Sequence, residues 1–238
     1  MSNVFLITGN AGQGKTTFAA NLACALRING HDVLLADGDS KTPKLCYHFK
    51  ILPQKTMQDV ITKRIKAKDA IYIHPGGLKM LFSALTPVQA SHPSTIIEEL
   101  RKQADIVIID VPSYDTTWYE TNQSTIIVTQ PDFPSIMEAH KVRKSIPNIY
   151  GVVINRVHND QNELSAGNIN QLTNFPIMGI IPEERYMREA LKLGYTLVES
   201  HPELQTSTIF RQIAAKLMNQ EYKAPIKKIS ILDKFIPL

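Results

Sequence analysis

The sequence predicts an α/β fold in which a mostly parallel, twisted sheet is flanked by helices on both sides. Three observations predict it. Short apolar runs recur along the chain with helix-patterned stretches between them. The runs carry no alternating polar residues, as strands buried on both faces require. The first run leads directly into a glycine-rich loop and then a helix, the order in which a phosphate-binding turn is built.

Val4-Phe5-Leu6-Ile7-Thr8 reads as the first strand. Gly9-Asn10-Ala11-Gly12-Gln13-Gly14-Lys15-Thr16-Thr17 then fits G-x-x-x-x-G-K-[ST]. Its glycines let the backbone curl so that successive N–H groups face phosphate oxygens, and the following helix adds its partial positive charge. Lys15 is placed to reach the β/γ-phosphates, and the Thr16 hydroxyl to ligate Mg²⁺. That helix, Thr17 to Arg27, carries an apolar face at Phe18, Leu22, Ala25 and Leu26. Further strands are expected at Val33–Ala36, Ala70–Ile73, Leu78–Phe82, Ile106–Ile109, Thr125–Val128, Gly151–Ile154 and Ile177–Ile181. Helices are expected at Pro93–Gln103, Ser135–Lys144, Ala166–Thr173, Glu184–Leu193 and Ser207–Asn219. Composition shifts only near Tyr222, which divides a domain over residues 1–221 from an apolar-basic tail over 222–238.

The bulk numbers bound the function. A chain of 238 residues, 43% apolar, suits one core-forming domain. No stretch reaches the roughly 18 uncharged apolar residues that span a bilayer. The first strand begins almost at once, leaving no room for a signal peptide, so a cytoplasmic protein is expected. Two cysteines, Cys24 and Cys46, agree with a reducing compartment. There is no C-x-C or C-x-x-C, so one chain offers no ligand set for an iron–sulfur or zinc site. A net charge of +4 suits an anionic partner surface without requiring one.

A second constellation lies at strand ends. Ala36-Asp37-Gly38-Asp39-Ser40 puts two carboxylates where open α/β sheets bind ligands. Ile106-Val107-Ile108-Ile109-Asp110 has the four apolar residues and terminal carboxylate of a Walker B strand, which holds Mg²⁺ directly or through water.

The loop Gly9–Thr17, the Asp37-x-Asp39 pair, Asp110-Val111-Pro112, Val128-Thr129-Gln130-Pro131, Asn155-Arg156 and Gly179-Ile180-Ile181-Pro182-Glu183 stand in the order found in MinD/ParA-type ATPases. Over about residues 3 to 218 the chain resembles this family of SIMIBI-type P-loop NTPases, and its MinD branch most. The resemblance implies an ATP- and Mg²⁺-dependent homodimerisation switch for positioning or recruitment, with a protein activator as a further partner. It implies nucleotide binding by Gly9, Asn10, Ala11, Gly12, Gln13, Gly14, Lys15, Thr16 and Thr17. Asp39 would orient the attacking water, with Lys15 as the other catalytic group. Thr16, Asp37, Asp39 and Asp110 would form or support the metal shell. Asn155 and Arg156 would meet adenine, and Pro182 and Glu183 would border the nucleoside.

One position departs from the family. Its members usually carry Lys after the first loop glycine, and that lysine crosses the dimer to the partner's ATP. Here the residue is Asn10, which brings hydrogen bonds but no charge to the developing negative charge, so slow hydrolysis is expected. In the tail, Ile226, Ile229, Leu232 and Ile236 recur at helical spacing beside Lys227, Lys228 and Lys234. That pattern resembles the amphipathic membrane-targeting helix of MinD-like proteins, and a tail packed back on its own domain is the alternative. Basic clusters at Lys63–Lys68 and His140–Lys144 leave open a ParA-like attachment to DNA, and Asn10 a nucleotide-binding regulator with little hydrolysis.

Overall fold

Successive side chains of β1 (Asn3–Thr8) enter different cores: Val4 and Leu6 pack on one face, Phe5 and Ile7 on the other. The same alternation runs through β2 (Val33–Asp37) and β5 (Ile106–Asp110), so the strands read as continuously apolar. These features come from a computed structural model that describes residues 3–85, 93–158 and 160–222. Among the described residues the sheet is completed by β3 (Tyr72–Ile73), β4 (Lys79–Leu81), β6 (Ser124–Thr129), β7 (Ile149–Val157) and β8 (Ile177–Pro182). The strand order is β3-β4-β2-β5-β1-β6-β7-β8, and every pairing is parallel except β3 with β4. The predicted α/β fold, mostly parallel and covered on both faces, is the one observed.

One face is covered by α1 (Lys15–Ile28), α2 (Leu45–His48), α9 (Leu197–Ser200) and α10 (Gln205–Leu217). The other is covered by α3 (Met57–Ile61), α4 (Ala67–Ala70), α5 (Pro93–Arg101), a 3₁₀ turn (Thr116–Thr121), α6 (Phe133–Arg143) and α7 (Ala166–Thr173). The remaining helix, α8 (Tyr186–Leu193), buries only Ala190. Helix α1 was expected to show one apolar face, yet every residue from Phe18 to Leu26 is buried. The reason is that α10 packs over its outer side, so even Asn21 is enclosed.

The expected strand at Ala70–Ile73 is corrected: Ala70 ends α4, and only Tyr72 and Ile73 pair, at the sheet edge with both side chains exposed. The short helices α2, α3, α4 and α9 and the 3₁₀ turn are not apparent from apolar periodicity, because each is too brief to show it. A capping box between Thr56 and Asp59 starts α3. Helix α6 begins earlier than expected because the Asp132 side chain caps it, accepting from Ser135 N at 2.9 Å. The proposed targeting helix falls almost wholly in residues 223–238, which lie outside the described residues.

Candidate functional site

Sheet register assembles the site. Strands β2, β5 and β1 are neighbours, with Asp37 opposite Asp110 and Asp110 opposite Ile7, two residues before Gly9. The carboxylates and the loop therefore share one sheet edge. The loop passes so close to β6 that a Cβ on Gly9, at φ +142°, would collide with the Val128 carbonyl. Gly14 at φ +87° enters α1, and a Cβ there would strike the Asn155 amide. Gln130 Nε2 donates to Gly12 O at 3.2 Å and Gln13 Nε2 to Ser135 Oγ at 3.0 Å, tying the loop to the segment after β6.

Lys15 is folded over this loop, its Nζ donating to Asn10 O at 3.0 Å. Burial pulls its pKa below the ordinary lysine value, with Lys44 acting the same way and Asp110 and Asp39 opposing. The Thr16 hydroxyl donates to Asp110 Oδ2 at 2.5 Å, while Asp110 Oδ1 is buried with no hydrogen-bond partner. Burial pushes Asp110 up to about 6 against the Thr16 bond and the Lys15 charge. Asp37 is fully buried; Oδ1 accepts from Asp39 N at 3.0 Å, and Oδ2 from Lys44 N at 3.2 Å and Leu45 N at 3.1 Å. Burial, then the facing Asp110 carboxylate, raises it to about 8. Its oxygens thus hold the loop after β2 in shape.

Asp39 is half-buried. Burial disfavours its charge, but hydrogen bonds from the Tyr114 hydroxyl, Thr42 and Lys41 outweigh that and hold it below the usual carboxylate range. Asn10 donates its side-chain amide to Glu138 on α6, within its own chain.

The far side of the loop is a second compartment. Asn155, near the end of β7, donates to Gln13 O at 2.9 Å. Arg156, at φ +58°, turns toward Glu183 with Nε 3.8 Å from Oε2. Gly14, Thr17, Asn155, Arg156, Pro182 and Met187 are among the residues lining a cleft of about 110 Å³ here.

The family comparison bears on this geometry directly: residues 4–197 match the CobQ/CobB/MinD/ParA nucleotide binding domain. The chain belongs to that family. It is a MinD/ParA-type P-loop ATPase, similar at 30% identity, over an alignment 249 positions long, to an uncharacterized ATP-binding protein of Methanocaldococcus jannaschii. That alignment takes in 98% of this chain and 94% of the relative. Among solved structures, the cell division ATPase MinD of Pyrococcus furiosus superposes with a TM-score of 0.82 at 25% identity, covering 92% of this chain and 99% of that one. The septum site-determining protein MinD of Pyrococcus horikoshii, complexed with Mg-ADP, gives 0.83 at 24% identity over 99% and 100% of the two chains, a likeness of fold.

The structure brings Lys15, Thr16, Asp39 and Asp110 together on one side of the loop, with Asp37 opposite Asp110, and Gly14, Thr17, Asn155, Arg156, Pro182 and Glu183 on the other. Several neighbours of these residues were not expected from the sequence. Tyr114 and Glu138 reach the MinD/ParA-type site from segments without a motif, and Met187 comes from α8; nothing in their local sequence singles them out.

The carboxylates set a pH dependence. The Asp110 pKa lies above its unfolded value of about 3.9, so folding takes up a proton between the two values. Its stabilising contribution is complete at acid pH and is lost as pH rises through about 6. Without nucleotide or metal, the difference in melting temperature between parent and Asp110→Asn should therefore move against the parent from about pH 5 to about pH 7. A difference that stays constant, or moves toward the parent, would contradict burial as the dominant influence on the Asp110 carboxyl.

Proposed function

We propose that the chain is an ATP-dependent dimerisation switch that acts in positioning or recruitment at a membrane surface. The observation that carries the reading is the buried, unpartnered Asp110 Oδ1 beside Thr16, with the Lys15 ammonium within electrostatic reach of both Asp110 and Asp39. A hard, oxygen-seeking cation fits that donor set, a hydroxyl and a free carboxylate oxygen. Thr16 and Asp110 would hold Mg²⁺, with Asp37 supporting through the loop it shapes and Asp39 at its margin. When bound, the ion supplies charge neutralisation on the β- and γ-phosphate oxygens.

The chain's own residues do the rest. Backbone N–H groups of Gly9–Thr17 and the Lys15 ammonium bind the phosphates. Asp39 orients a water toward the γ-phosphorus; the new P–O bond forms as the bond to the β–γ bridging oxygen breaks, giving ADP and inorganic phosphate. Asn155, Arg156, Pro182 and Glu183 receive the nucleoside. Asn10 carries no charge and is engaged by Glu138, so it adds little across a dimer and hydrolysis is slow.

The membrane arm of the proposal rests on the tail pattern at Ile226, Ile229, Leu232 and Ile236. One helix of that size gives marginal affinity, so two tails in an ATP-held dimer should bind far better than one. The basic clusters favour DNA less. Arg64 faces Asp59 at 3.7 Å, and His140, Lys141 and Arg143 occupy the last turn of α6, where they complement the helix dipole. Full-length protein with ATP should sediment with anionic liposomes, and should do so less with ADP or without residues 223–238. Salt-sensitive binding to plasmid DNA with no liposome binding would move the surface from lipid to nucleic acid.

A further inference from the structure

Tyr114 is half exposed, yet its hydroxyl donates to Asp39 Oδ1 at 2.5 Å across 75 residues of sequence. Asp39 already accepts on Oδ1 from Lys41 N at 3.0 Å and Thr42 N at 2.8 Å, and on Oδ2 from Thr42 Oγ1 at 2.8 Å. Those three donors belong to the loop that carries Asp39, so they fix the carboxylate only relative to itself. The Tyr114 bond comes from the segment after β5, the strand whose Asp110 binds Thr16.

That segment is well anchored. Asp115 caps the 3₁₀ turn, Trp118 is buried, and the Tyr119 hydroxyl lies 2.8 Å from Thr8 Oγ1 at the start of the phosphate loop. The Tyr114 ring is itself held from above by Lys41, whose Nζ lies 5.0 Å from the ring centroid. Three donors on Oδ1 saturate it, whereas Oδ2 has one donor and keeps an accepting direction open for water.

We propose that Tyr114 is a positioning residue for hydrolysis: by pinning Oδ1 of Asp39 to the segment that follows Asp110, it leaves Oδ2 as the oxygen that orients the attacking water. This rests on the reading of Asp39 as the water-orienting group. Lys41 steadies the phenol ring, and the bond joins the loops after β2 and β5 into one frame around the γ-phosphate position.

The test is Tyr114→Phe in the full chain, which keeps the ring and its Lys41 contact and removes the hydroxyl alone. Loss of one bond to a charged group should lower kcat about tenfold while the KM for ATP stays unchanged. The emission of Trp118, the sole tryptophan, packed against Gly38 at the base of the Asp39 loop, should not shift. In an Asp39→Ala background the Tyr114→Phe change should cost nothing further. Parental or raised kcat in Tyr114→Phe, a shifted Trp118 emission, or a full tenfold loss added to Asp39→Ala would each overturn the proposal. Asp39→Ala turning over at the parental rate would refute the underlying role of Asp39. A slow Asp39→Ala beside an unaffected Tyr114→Phe would refute the role of Tyr114 alone.

Discussion

Lys15→Ala should weaken ATP binding by at least about a hundred-fold. The Nζ is the one charged group the loop offers the phosphates, and it now sits on the Asn10 carbonyl, 3.0 Å away, from which it can swing to a phosphate oxygen. Each hydrogen bond to a charged partner is worth about 1.5–3 kcal/mol, and two of them set the expected loss. Burial has already lowered the pKa of this lysine, so part of the cost of desolvating it is met in folding, before nucleotide arrives. Removing it also strips Asp110 of a neighbouring positive charge, so the empty protein should gain no stability from the change. Titration calorimetry with Mg·ATP reads the affinity; an unchanged value would remove the phosphate-loop assignment.

Asp39→Ala should behave oppositely, retaining ATP and losing hydrolysis by about a hundred-fold or more. The carboxylate lies outside the loop that cradles the phosphates, and its bonds go to Lys41, Thr42 and Tyr114. The alanine variant also releases two backbone N–H groups, so local loosening needs its own control. Asp39→Asn retains acceptor capacity for those groups but presents a neutral, weaker acceptor to water. Both variants should bind ATP near the parental affinity and both should turn over slowly. Parental hydrolysis by Asp39→Ala would end the catalytic assignment.

The contrast between these variants follows from how the site is distributed along the chain, which also explains what could be read in advance. The loop from Gly9 to Thr17 was legible because backbone curvature and phosphate chemistry fix residue types at fixed spacing. Asp110 was legible only in combination: a strand ending in Asp is common at turns, and it points to a metal-supporting carboxylate once a phosphate loop stands upstream. The strands stood out because each face feeds a separate core, as Val4 and Phe5 show. The short elements between β2 and β4 left no such signal: α2 and α4 span four residues each, too few for a period to appear. The edge strand was misplaced because Ala70 is apolar in a helix end for the same packing reasons as in a strand. Tyr114 and Glu138 were invisible for a different reason. Their contacts with Asp39 and Asn10 span 75 and 128 residues, and only the folded sheet brings those segments together.

Sedimentation velocity on the Asp39→Ala chain, with Mg·ATP and with Mg·ADP, tests the switch most directly, because slow turnover keeps the triphosphate in place throughout the run. The account predicts a dimer with ATP and a monomer with ADP, with the Lys15→Ala change abolishing the difference. The same monomer in both nucleotides, with ATP binding verified in the sample, would contradict it.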